Sequence, residues 1–403
     1  MRILVLHRVP DSFVRYAENI DHSEHDVTYV SAPARMATLP TDVPARRIER
    51  PGTGDTAAEV LAAVAGLPPP DLVVALSEYD LIAAAQVRAA LAVPGAREQD
   101  VLPARDKVVM KSAVAAAGLR VPRFSALGAA LAGDADPVEW SGRTVLKPLA
   151  GASSEGVATF PTVAEALAAA RRLDPSTAVG EFEIEEFVEG PIIHVDGVVA
   201  TGEPVAVQTS RYVGTCLGYA AGRPLGSVQV DTEPAVVDWT LRCLRAVGIE
   251  DGPFHLEAIE AAEELVFLEV GARFGGADVV DTFELATGVR MPSAQLRLLL
   301  DGPSYRPPVR AAGPRERYGW FVVPGHTVGS AYCRISGEKE FRDDPLVWRW
   351  VQRRTDEPIA DVITYADADI PLAGVLGPAP APVLERFLTQ LFASVRVEPL
   401  GSA

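Results

Sequence analysis

Short continuous apolar runs alternate with amphipathic stretches over the first hundred residues of the chain. Three of these runs predict buried parallel strands, at residues 2–7 (RILVLH), 26–31 (DVTYVS) and 71–76 (DLVVAL). Helical spacing over residues 55–65, and an Ala-rich stretch reaching Leu91, predict helices between the strands. Strands that alternate with helices indicate a small open α/β module. Its first turn lacks a G-x-G-x-x-G sequence, so we expect no dinucleotide site there.

The pattern changes after residue 101. A helix is predicted over residues 104–117, because Gly118 and Pro122 follow it as stop signals. From there to Asp301, strands joined by hairpin-like turns alternate with short helices, which indicates an α+β body with antiparallel sheet. The predicted strands of this body are residues 145–148, 156–160, 181–188 and 192–200. Its clearest predicted helices are residues 162–173 and 236–247.

A proline-rich segment precedes the last part of the chain. Residues 302–314 contain four prolines and are predicted to form a linker or an extended crossover. Beyond Arg317 the pattern predicts several strands and a final amphipathic helix at residues 382–394. Three tryptophans are expected to pack inside this C-terminal part: Trp320, Trp348 and Trp350.

Composition and charge narrow the class of protein. The chain has 403 residues, of which 48% are hydrophobic and 23% charged, as expected for a globular protein of two or three modules. Its net charge of −17 argues against nucleic acid or an anionic membrane as a partner. The three cysteines have no paired spacing, and the apolar run at residues 2–7 is too short for a signal peptide. These features predict a cytoplasmic location, with a homodimer as the default oligomeric state.

The strongest chemical signal lies in residues 254–276, FHLEAIEAAEELVFLEVGARFGG. Glu257 and Glu269 belong to two predicted strands that are joined by a polar turn. A hairpin would place their carboxylates side by side, and Mg²⁺ prefers such oxygen ligands together with phosphate oxygens. Arg273 follows just past the second strand, where its guanidinium can meet an anionic phosphate or carboxylate. A solvated acidic hairpin is the alternative interpretation.

Two adjacent glycines and three further segments add to this signal. Gly275 and Gly276 allow close approach of the backbone to a ligand. In VLKPLAGASSEG, Lys147 leaves a buried strand and is followed by a loop of small residues that can bind phosphates, although it is not a Walker A loop. EEFVEG at residues 185–190 can meet an adenine edge with its backbone, and Lys107 at a helix start can reach a phosphate. Taken alone, VLKPLAGASSEG could be a flexible loop, EEFVEG could be core packing, and Lys107 could be an ordinary lysine at a helix end.

The order of these parts along the chain resembles the ATP-grasp superfamily from about Leu102 to Asp301. The phrase ARDKVVMKSAVAAAGLRVPRF looks like the helix and turn that open the ATP-grasp region in carboxylate–amine ligases. Within the superfamily, the chain is most similar to the L-amino acid ligase group, whose site contains H-x-E and E-x-x-x-R-x-G-G elements. Here these elements are His255-Leu256-Glu257 and the segment from Glu269 to Gly276.

The resemblance implies a fold and a division into domains. We expect α/β and α+β architecture, namely an ATP-grasp fold with an N-terminal open α/β (pre-ATP-grasp) module and a β-rich C-terminal module. The implied boundaries are 1–101 for the N-terminal domain, 102–301 for the ATP-grasp domain and 302–403 for the C-terminal module that completes the site. The ATP-grasp domain would divide into an ATP-binding subdomain at 102–190 and a catalytic subdomain at 191–301.

The resemblance also implies roles for individual residues. ATP would be bound by phosphate-contacting lysines, an adenine-facing hinge and a mobile lid: Lys107 and Lys147; Glu185, Glu186, Phe187 and Val188; and Gly151, Ser153, Ser154 and Gly156. Glu257 and Glu269 would bind one or two Mg²⁺ ions. His255 and Arg273, with Lys147, would act on the reacting carboxylate and the phosphoryl group. A second loop at residues 211–227, with four glycines and Arg223, would lie near the substrates.

Two positions depart from the superfamily pattern. Gly271 stands where an asparagine usually follows the second glutamate, which puts a second magnesium ion in doubt. Ile192 stands where many relatives have a glutamate for the ribose hydroxyls, so another residue must contact the ribose. His194 and Asp196, in IIHVDGVV, could reach a substrate amino group or belong to a structural strand with a turn at Gly197. Glu78 lies at the carboxyl end of a predicted parallel strand, where open α/β sheets bind ligands.

The activity implied by the resemblance is the ATP-dependent ligation of a small carboxylate to an amine through an acyl phosphate, with amino acids or a natural-product precursor as substrates. The sequence specifies neither substrate. A carboxylase or a purine-pathway type of ligase would use the same fold. A nucleotide-binding module with little turnover is the alternative from another class, and Gly271 and Ile192 favour it. Retention of Lys147, Glu257, Glu269 and Arg273 together favours an enzyme.

Overall fold

The computed structural model describes residues 1–132, 140–149, 155–172, 179–262, 264–310, 313 and 315–401. These residues form a parallel four-stranded sheet, an antiparallel four-stranded sheet, an antiparallel eight-stranded sheet and a two-stranded ribbon. The predicted combination of α/β and α+β architecture is confirmed. Within the described ranges, we find no helix with the length and apolar character needed to cross a bilayer.

The N-terminal module is built on the parallel sheet, whose order is β3-β2-β1-β4. Its strands are β1 (Arg2–His7), β2 (Asp26–Ser31), β3 (Arg46–Glu49) and β4 (Leu72–Ala75). Its helices are α1 (Asp11–Val14), α2 (Tyr16–Asn19), α3 (Thr56–Ala63), α4 (Leu81–Ala90) and α5 (Glu98–Val101). Strand β3 was not predicted, because its sequence RRIE is mostly charged and shows no apolar run. It pairs with β2 at the sheet edge, where charged side chains are tolerated.

The second part contains the smaller antiparallel sheet, in the order β5-β8-β6-β7. Its elements are α6 (Lys107–Ala116), β5 (Phe124–Ala126), α7 (Leu127–Ala132), β6 (Thr144–Pro148), β7 (Ala158–Phe160), α8 (Val163–Ala170) and β8 (Phe182–Glu186). Helix α6 begins later than predicted, because the Asp106 carboxylate accepts hydrogen bonds from the N–H groups of Val108 and Val109 and caps the helix. Lys107 is therefore the first residue of the helix.

The eight-stranded sheet runs in the order β13-β12-β9-β10-β11-β14-β17-β16. Its first five strands in the chain are β9 (Ile192–Ala200), β10 (Glu203–Val213), β11 (Leu225–Gln229), β12 (Gly252–Glu260) and β13 (Leu265–Gly271). The other three are β14 (Arg317–Val323), β16 (Val347–Gln352) and β17 (Leu372–Ala379), while β15 (Cys333–Ser336) and β18 (Arg396–Pro399) form the ribbon. The helices are α9 (Cys216–Ala220), α10 (Pro234–Ala246), α11 (Val279–Thr287), α12 (Met291–Asp301), α13 (Lys339–Arg342) and α14 (Ala381–Ser394). Because β14 pairs with β11, the sheet is continuous across the expected boundary at residue 301.

One hydrophobic core joins the N-terminal module to the large sheet. Ile3 and Tyr29 of the parallel sheet pack in the same buried cluster as Phe274, Met291 and Leu296. Such a shared core fixes the two parts against each other. It thereby brings the carboxyl end of β4 close to the segment that follows β13.

The three tryptophans of the C-terminal part differ in environment. Trp320 is buried in β14, and the ring of Trp350 packs against Phe321 at a centroid distance of 5.4 Å. Trp348 is 52% exposed, so the expectation that it packs inside this part is wrong. It is the extra residue at a register shift between Val347 and Arg349 in β16, the edge strand of the eight-stranded sheet, and the pairing with β17 skips it.

Candidate active site

Two cavities lie side by side at the junction of the two antiparallel sheets. The larger has a volume of about 480 Å³ and is walled by the small sheet and the loop around α9. The smaller has a volume of about 280 Å³ and lies between the N-terminal module and the large sheet. The cavities share four lining residues, Lys107, Cys216, Glu257 and Glu269. A ligand in one cavity can therefore meet a ligand in the other at these four side chains.

The predicted hairpin of acidic residues is confirmed. Strands β12 and β13 are antiparallel, and Glu257 lies directly opposite Glu269 in their register. The Nζ of Lys107 is 3.4 Å from Oε2 of Glu269. The hydroxyl of Tyr212 donates a 2.7 Å hydrogen bond to Oε1 of Glu257. The two carboxylates thus meet a lysine and a phenol on the wall between the two cavities.

The donor set of this wall suits a hard divalent cation. Opposed carboxylates such as Glu257 and Glu269 supply the oxygen atoms that Mg²⁺ prefers. Burial alone would raise the pKa of Glu257, but the neighbouring His255 lowers it, so this carboxylate is ionised at neutral pH. Gly271 lies beyond Glu269 on the same strand and brings no side-chain oxygen. The carboxylates present therefore fit a divalent cation between the two glutamates.

Lys147 lies on the wall of the larger cavity within a buried group of four charges. Its Nζ is 2.8 Å from Oε1 of Glu185 and 3.6 Å from Oε1 of Glu183. The Nζ of Lys111 lies 2.6 Å from Glu185 and 2.8 Å from Glu183. Burial by itself would lower the pKa of Lys147, but Glu185 and Glu183 raise it above its ordinary value. Lys147 therefore carries a fixed positive charge at the cavity wall.

The predicted adenine hinge lies along the same cavity. Phe187 and Val188 line it, and the Arg143 guanidinium stacks on the Phe187 ring at 3.6 Å. The Glu185 side chain points away from this segment and pairs with Lys111 and Lys147 in the buried charge group. The Glu186 carboxylate pairs with Arg120 and accepts a 3.0 Å hydrogen bond from the Arg123 N–H. The N–H groups of Glu186 and Phe187 also donate hydrogen bonds within the protein, to the carbonyl oxygens of Arg123 and Arg143.

The predicted loops have different outcomes. Gly151, Ser153 and Ser154 lie outside the described residues. Gly156 is described and has a φ of +70°, a conformation that favours glycine. Arg223 lines the larger cavity, as does Ile192 at the start of β9.

Glu78 and Arg273 lie together on the wall of the smaller cavity. Both Arg273 and Arg105 donate hydrogen bonds to the Glu78 carboxylate. Burial raises the pKa of Glu78, but the two arginines outweigh that effect and lower it. Burial also acts to lower the pKa of Arg273, and Glu78 raises it. The structure thus holds the Arg273 guanidinium beside the acidic pair through a carboxylate from the N-terminal module.

His255 lies between the acidic pair and a second buried carboxylate. Its Nδ1 is 2.8 Å from Oδ1 of Asp196, and its Nε2 is 3.5 Å from Oε1 of Glu257. Burial alone would lower the pKa of His255, but Asp196 and Glu257 raise it to about 10. The other Asp196 oxygen contacts His194, whose Nε2 is 2.7 Å from Oγ of Ser227. Asp196 therefore lies behind His255, away from both cavity walls, and holds the imidazolium in place.

The two glycines after Arg273 line the smaller cavity and differ in the space around them. A Cβ on Gly275 would lie 2.9 Å from Nδ1 of His255 and 2.8 Å from a Val279 methyl group. A Cβ on Gly276 would meet only Tyr365, at 3.8 Å. The backbone at position 275 therefore needs glycine in order to pass the imidazole.

Sequence reasoning missed several residues of this site. Lys111 and Glu183 complete the buried charge group, Arg105 shares Glu78 with Arg273, and Tyr212 and Tyr365 line the smaller cavity. Lys111 carries the clearest available signal, since it is a charged residue on the apolar face of the predicted helix after Leu102.

Comparisons with known proteins relate these features to solved structures. No protein-family model matches the chain. The uncharacterized protein y4rH of Sinorhizobium fredii (strain NBRC 101917 / NGR234) is 27% identical over 217 residues, which are 51% of this chain and 44% of that protein. The chain thus spans less than half the length of that relative.

Solved structures match over nearly the whole chain. The L-amino acid ligase from Bacillus licheniformis superposes with a TM-score of 0.71 at 20% identity, over 99% of this chain and 98% of that one. The N5-carboxyaminoimidazole synthetase from Staphylococcus aureus, solved in complex with ADP, gives a TM-score of 0.66 at 12% identity, over 97% and 96%. Both proteins are ATP-grasp superfamily members, and this chain has the ATP-grasp fold.

Proposed function

We propose that this protein is an ATP-dependent carboxylate–amine ligase that forms an amide or peptide bond through an acyl phosphate. The observation that carries the proposal is the acidic pair of Glu257 and Glu269 beside Lys107, on the wall shared by the two cavities. A nucleotide in the larger cavity would direct its terminal phosphate to this wall. A carboxylate substrate in the smaller cavity would meet it there.

The larger cavity suits ATP in its shape and in its charges. Its volume of about 480 Å³ falls in the range of small-molecule sites. Phe187 and Val188 would border the adenine, while Lys147 and Lys107 would supply positive charge for the phosphates. Glu257 and Glu269 would hold Mg²⁺. The ion would offset phosphate charge during transfer.

The chemistry needs no nucleophile from the protein. An oxygen of the substrate carboxylate attacks the γ-phosphorus of ATP, the bond to the β,γ-bridging oxygen breaks, and ADP leaves. The amine nitrogen then attacks the acyl carbon, the carbon–oxygen bond breaks, and phosphate leaves with that oxygen while the amine loses a proton. Lys107 and Arg273 offset the negative charge that develops on the transferred group.

The smaller cavity suits an organic acid. Arg273 and the His255 imidazolium place two positive charges beside the acidic pair, where the substrate carboxylate would lie. Glu78 holds Arg273 at this position, which limits the reorganisation needed when substrate binds. We infer a small carboxylic acid, with an amino acid as the preferred candidate, and a small-molecule amine as the second substrate.

Turnover with substrate pools tests this proposal. The protein is incubated with Mg-ATP and pools of amino acids, other small acids and amines, while ADP, phosphate and condensation products are measured by mass. Release of ADP and phosphate that depends on an acid and an amine would support the ligase. Glu269→Gln should abolish the release, whereas Glu264→Gln, in the turn of the same hairpin, should retain it. Nucleotide binding without turnover from any pool would favour a nucleotide-binding module.

A further inference from the structure

The smaller cavity has a charged end and an apolar end. His255, Glu257, Glu269 and Arg273 form the charged end. The apolar end is formed by lining residues of one hydrophobic cluster: Leu225, Val279, Trp320 and Tyr365. Tyr212 joins the two ends, because its ring belongs to the same cluster and its hydroxyl donates a hydrogen bond to Glu257. If the substrate carboxylate lies at the charged end, as the proposed function requires, its side chain points toward the apolar end. The residue that closes that end would then determine which acids fit.

Tyr365 reaches this cavity from the connection between β16 and β17, residues 353–371, which contains no helix or strand. The ends of a short loop within it are joined, because the Ala360 N–H donates a 2.8 Å hydrogen bond to the Asp369 carbonyl oxygen. Compact loops with joined ends are often functional elements. Tyr365 lies near the middle of this loop, residues 360–369, which we call the cavity loop.

Two contacts hold the cavity loop at Tyr365. The rings of Tyr219 and Tyr365 lie 4.8 Å apart at an interplanar angle of 30°. The Tyr219 hydroxyl donates a 2.6 Å hydrogen bond to the carbonyl oxygen of Thr364. Tyr219 belongs to α9, beside the acidic pair, so the cavity loop is attached to the same part of the molecule that carries the reaction centre.

Arg349 adds an electrostatic anchor. The guanidinium of Arg349, on strand β16, pairs with Asp278. It also lies 3.2 Å from Oδ2 of Asp281 and 3.6 Å from Oδ2 of Asp367. Asp278 directly precedes α11 and follows Gly275 and Gly276, which come after Arg273 in the chain. Asp367 belongs to the cavity loop. Arg349 therefore links the cavity loop to the segment that carries Arg273.

We propose that Tyr365 sets the upper size limit for the side chain of the acid substrate, and that the contact of Arg349 with Asp367 positions Tyr365 for this role. The inference rests on the proposed function, since it assigns the acid to the smaller cavity. It predicts that the preferred acid substrates carry a small, apolar side chain. Aromatic and aliphatic walls select such groups by shape, and each methylene that does not fit reduces the specificity constant by about 10-fold or more.

The test compares acids of increasing side-chain size in the wild type and in variants. Tyr365→Ala should raise the ratio of kcat/KM for bulky acids over small acids by about 10-fold or more. Tyr365→Trp should lower the same ratio, which general damage to folding would not do. Asp367→Asn should shift the ratio in the direction of Tyr365→Ala, by a smaller factor. Tyr332→Ala, at the surface of the same part of the chain, is the control and should leave the ratio unchanged.

Direct binding separates this inference from the proposed function. Calorimetric titration with the same acids, in the presence of a non-hydrolysable ATP analogue, should show the same change in size preference. If the variants change the size preference in binding but neither they nor the wild type turn over any acid, the ligase proposal fails and the assignment of Tyr365 stands. If the wild type turns over acids and Tyr365→Ala and Tyr365→Trp keep its size preference, the assignment of Tyr365 is overturned.

Discussion

Glu78 of the N-terminal module binds Arg273 of the segment that follows β13, 195 positions further along the chain. The same carboxylate binds Arg105, so one acidic group pairs with two guanidinium groups at the wall of the smaller cavity. This contact makes the N-terminal module part of the site. The shared hydrophobic core between the module and the large sheet holds Glu78 and Arg273 in contact.

The first prediction concerns removal of the Glu78 charge. Glu78→Gln should lower the free energy of unfolding at neutral pH by about 2 kcal/mol, because two partly buried guanidiniums lose their ionic partner. It should also raise KM for the acid, since Arg273 is no longer held in position. Urea unfolding and steady-state kinetics measure the two effects. Asp71→Asn, which removes an exposed pair in the same module, should change neither.

The pH dependence of this pair has a defined sign. Because the arginines lower the pKa of Glu78 below its ordinary 4.5, the ion pair stabilises the protein fully above pH 4.5. That stabilisation is lost as the pH falls through the lower pKa of the folded state. The difference in unfolding free energy between wild type and Glu78→Gln should therefore stay constant from pH 8 to pH 5 and shrink below pH 4.5. A difference that shrinks already between pH 7 and pH 5 would contradict the assignment.

The second prediction concerns the buried charge group. Lys111→Met should lower the free energy of unfolding by about 3–5 kcal/mol, because Glu183 and Glu185 then share only Lys147. The double variant Lys111→Met/Glu183→Gln should recover part of that loss, since it removes the surplus negative charge. Urea unfolding of the wild type, the single variant and the double variant measures both the loss and the recovery in the free energy of unfolding. An equal loss in the single and the double variant would show that the charge balance is not the cause.

The third prediction uses the paired glycines as their own control. Gly275→Ala should reduce acid-dependent ADP release by about 100-fold, because its methyl group would displace His255 from the acidic pair. Gly276→Ala places its methyl group 3.8 Å from the nearest atom and should remain active. Similar activity in the two variants would mean that the position of His255 is not needed for turnover.

The fourth prediction tests the carboxylate behind His255. Asp196→Asn replaces an acceptor of two histidine contacts with an amide, which can accept from only one side. Turnover should fall by about 10–100-fold, the range usual for partners that orient metal-site residues. The loss should appear in kcat more than in the KM for ATP. Asp251→Asn, at a turn of the same sheet, is the matched control.

Much of this arrangement was predictable where local sequence encodes it. The polar turn between two apolar runs predicted the hairpin that opposes Glu257 and Glu269, and the position of Glu78 after a parallel strand predicted a place in a cavity. The resemblance of ordered short motifs predicted the fold. These features depend on neighbouring residues or on periodic patterns, which a single sequence displays.

Other parts depend on contacts between distant segments. The pairing of Lys111 with Glu185 joins positions 74 residues apart, and no local pattern indicates it. Tyr365 belongs to a loop without periodicity, so its place in the cavity follows only from the packing of Tyr219 and Arg349. Trp348 was expected inside because tryptophan is apolar, and its edge strand leaves it exposed. Tertiary packing decides such positions.

The most direct test of the central claim follows oxygen from the acid to phosphate. The acid that stimulates turnover is labelled with ¹⁸O in its carboxylate, and the phosphate released in the presence of Mg-ATP and the amine is analysed by mass. An acyl phosphate transfers one carboxylate oxygen to phosphate, so we predict one ¹⁸O atom per phosphate and ADP as the other product. Unlabelled phosphate, or release of AMP and pyrophosphate, would contradict the account.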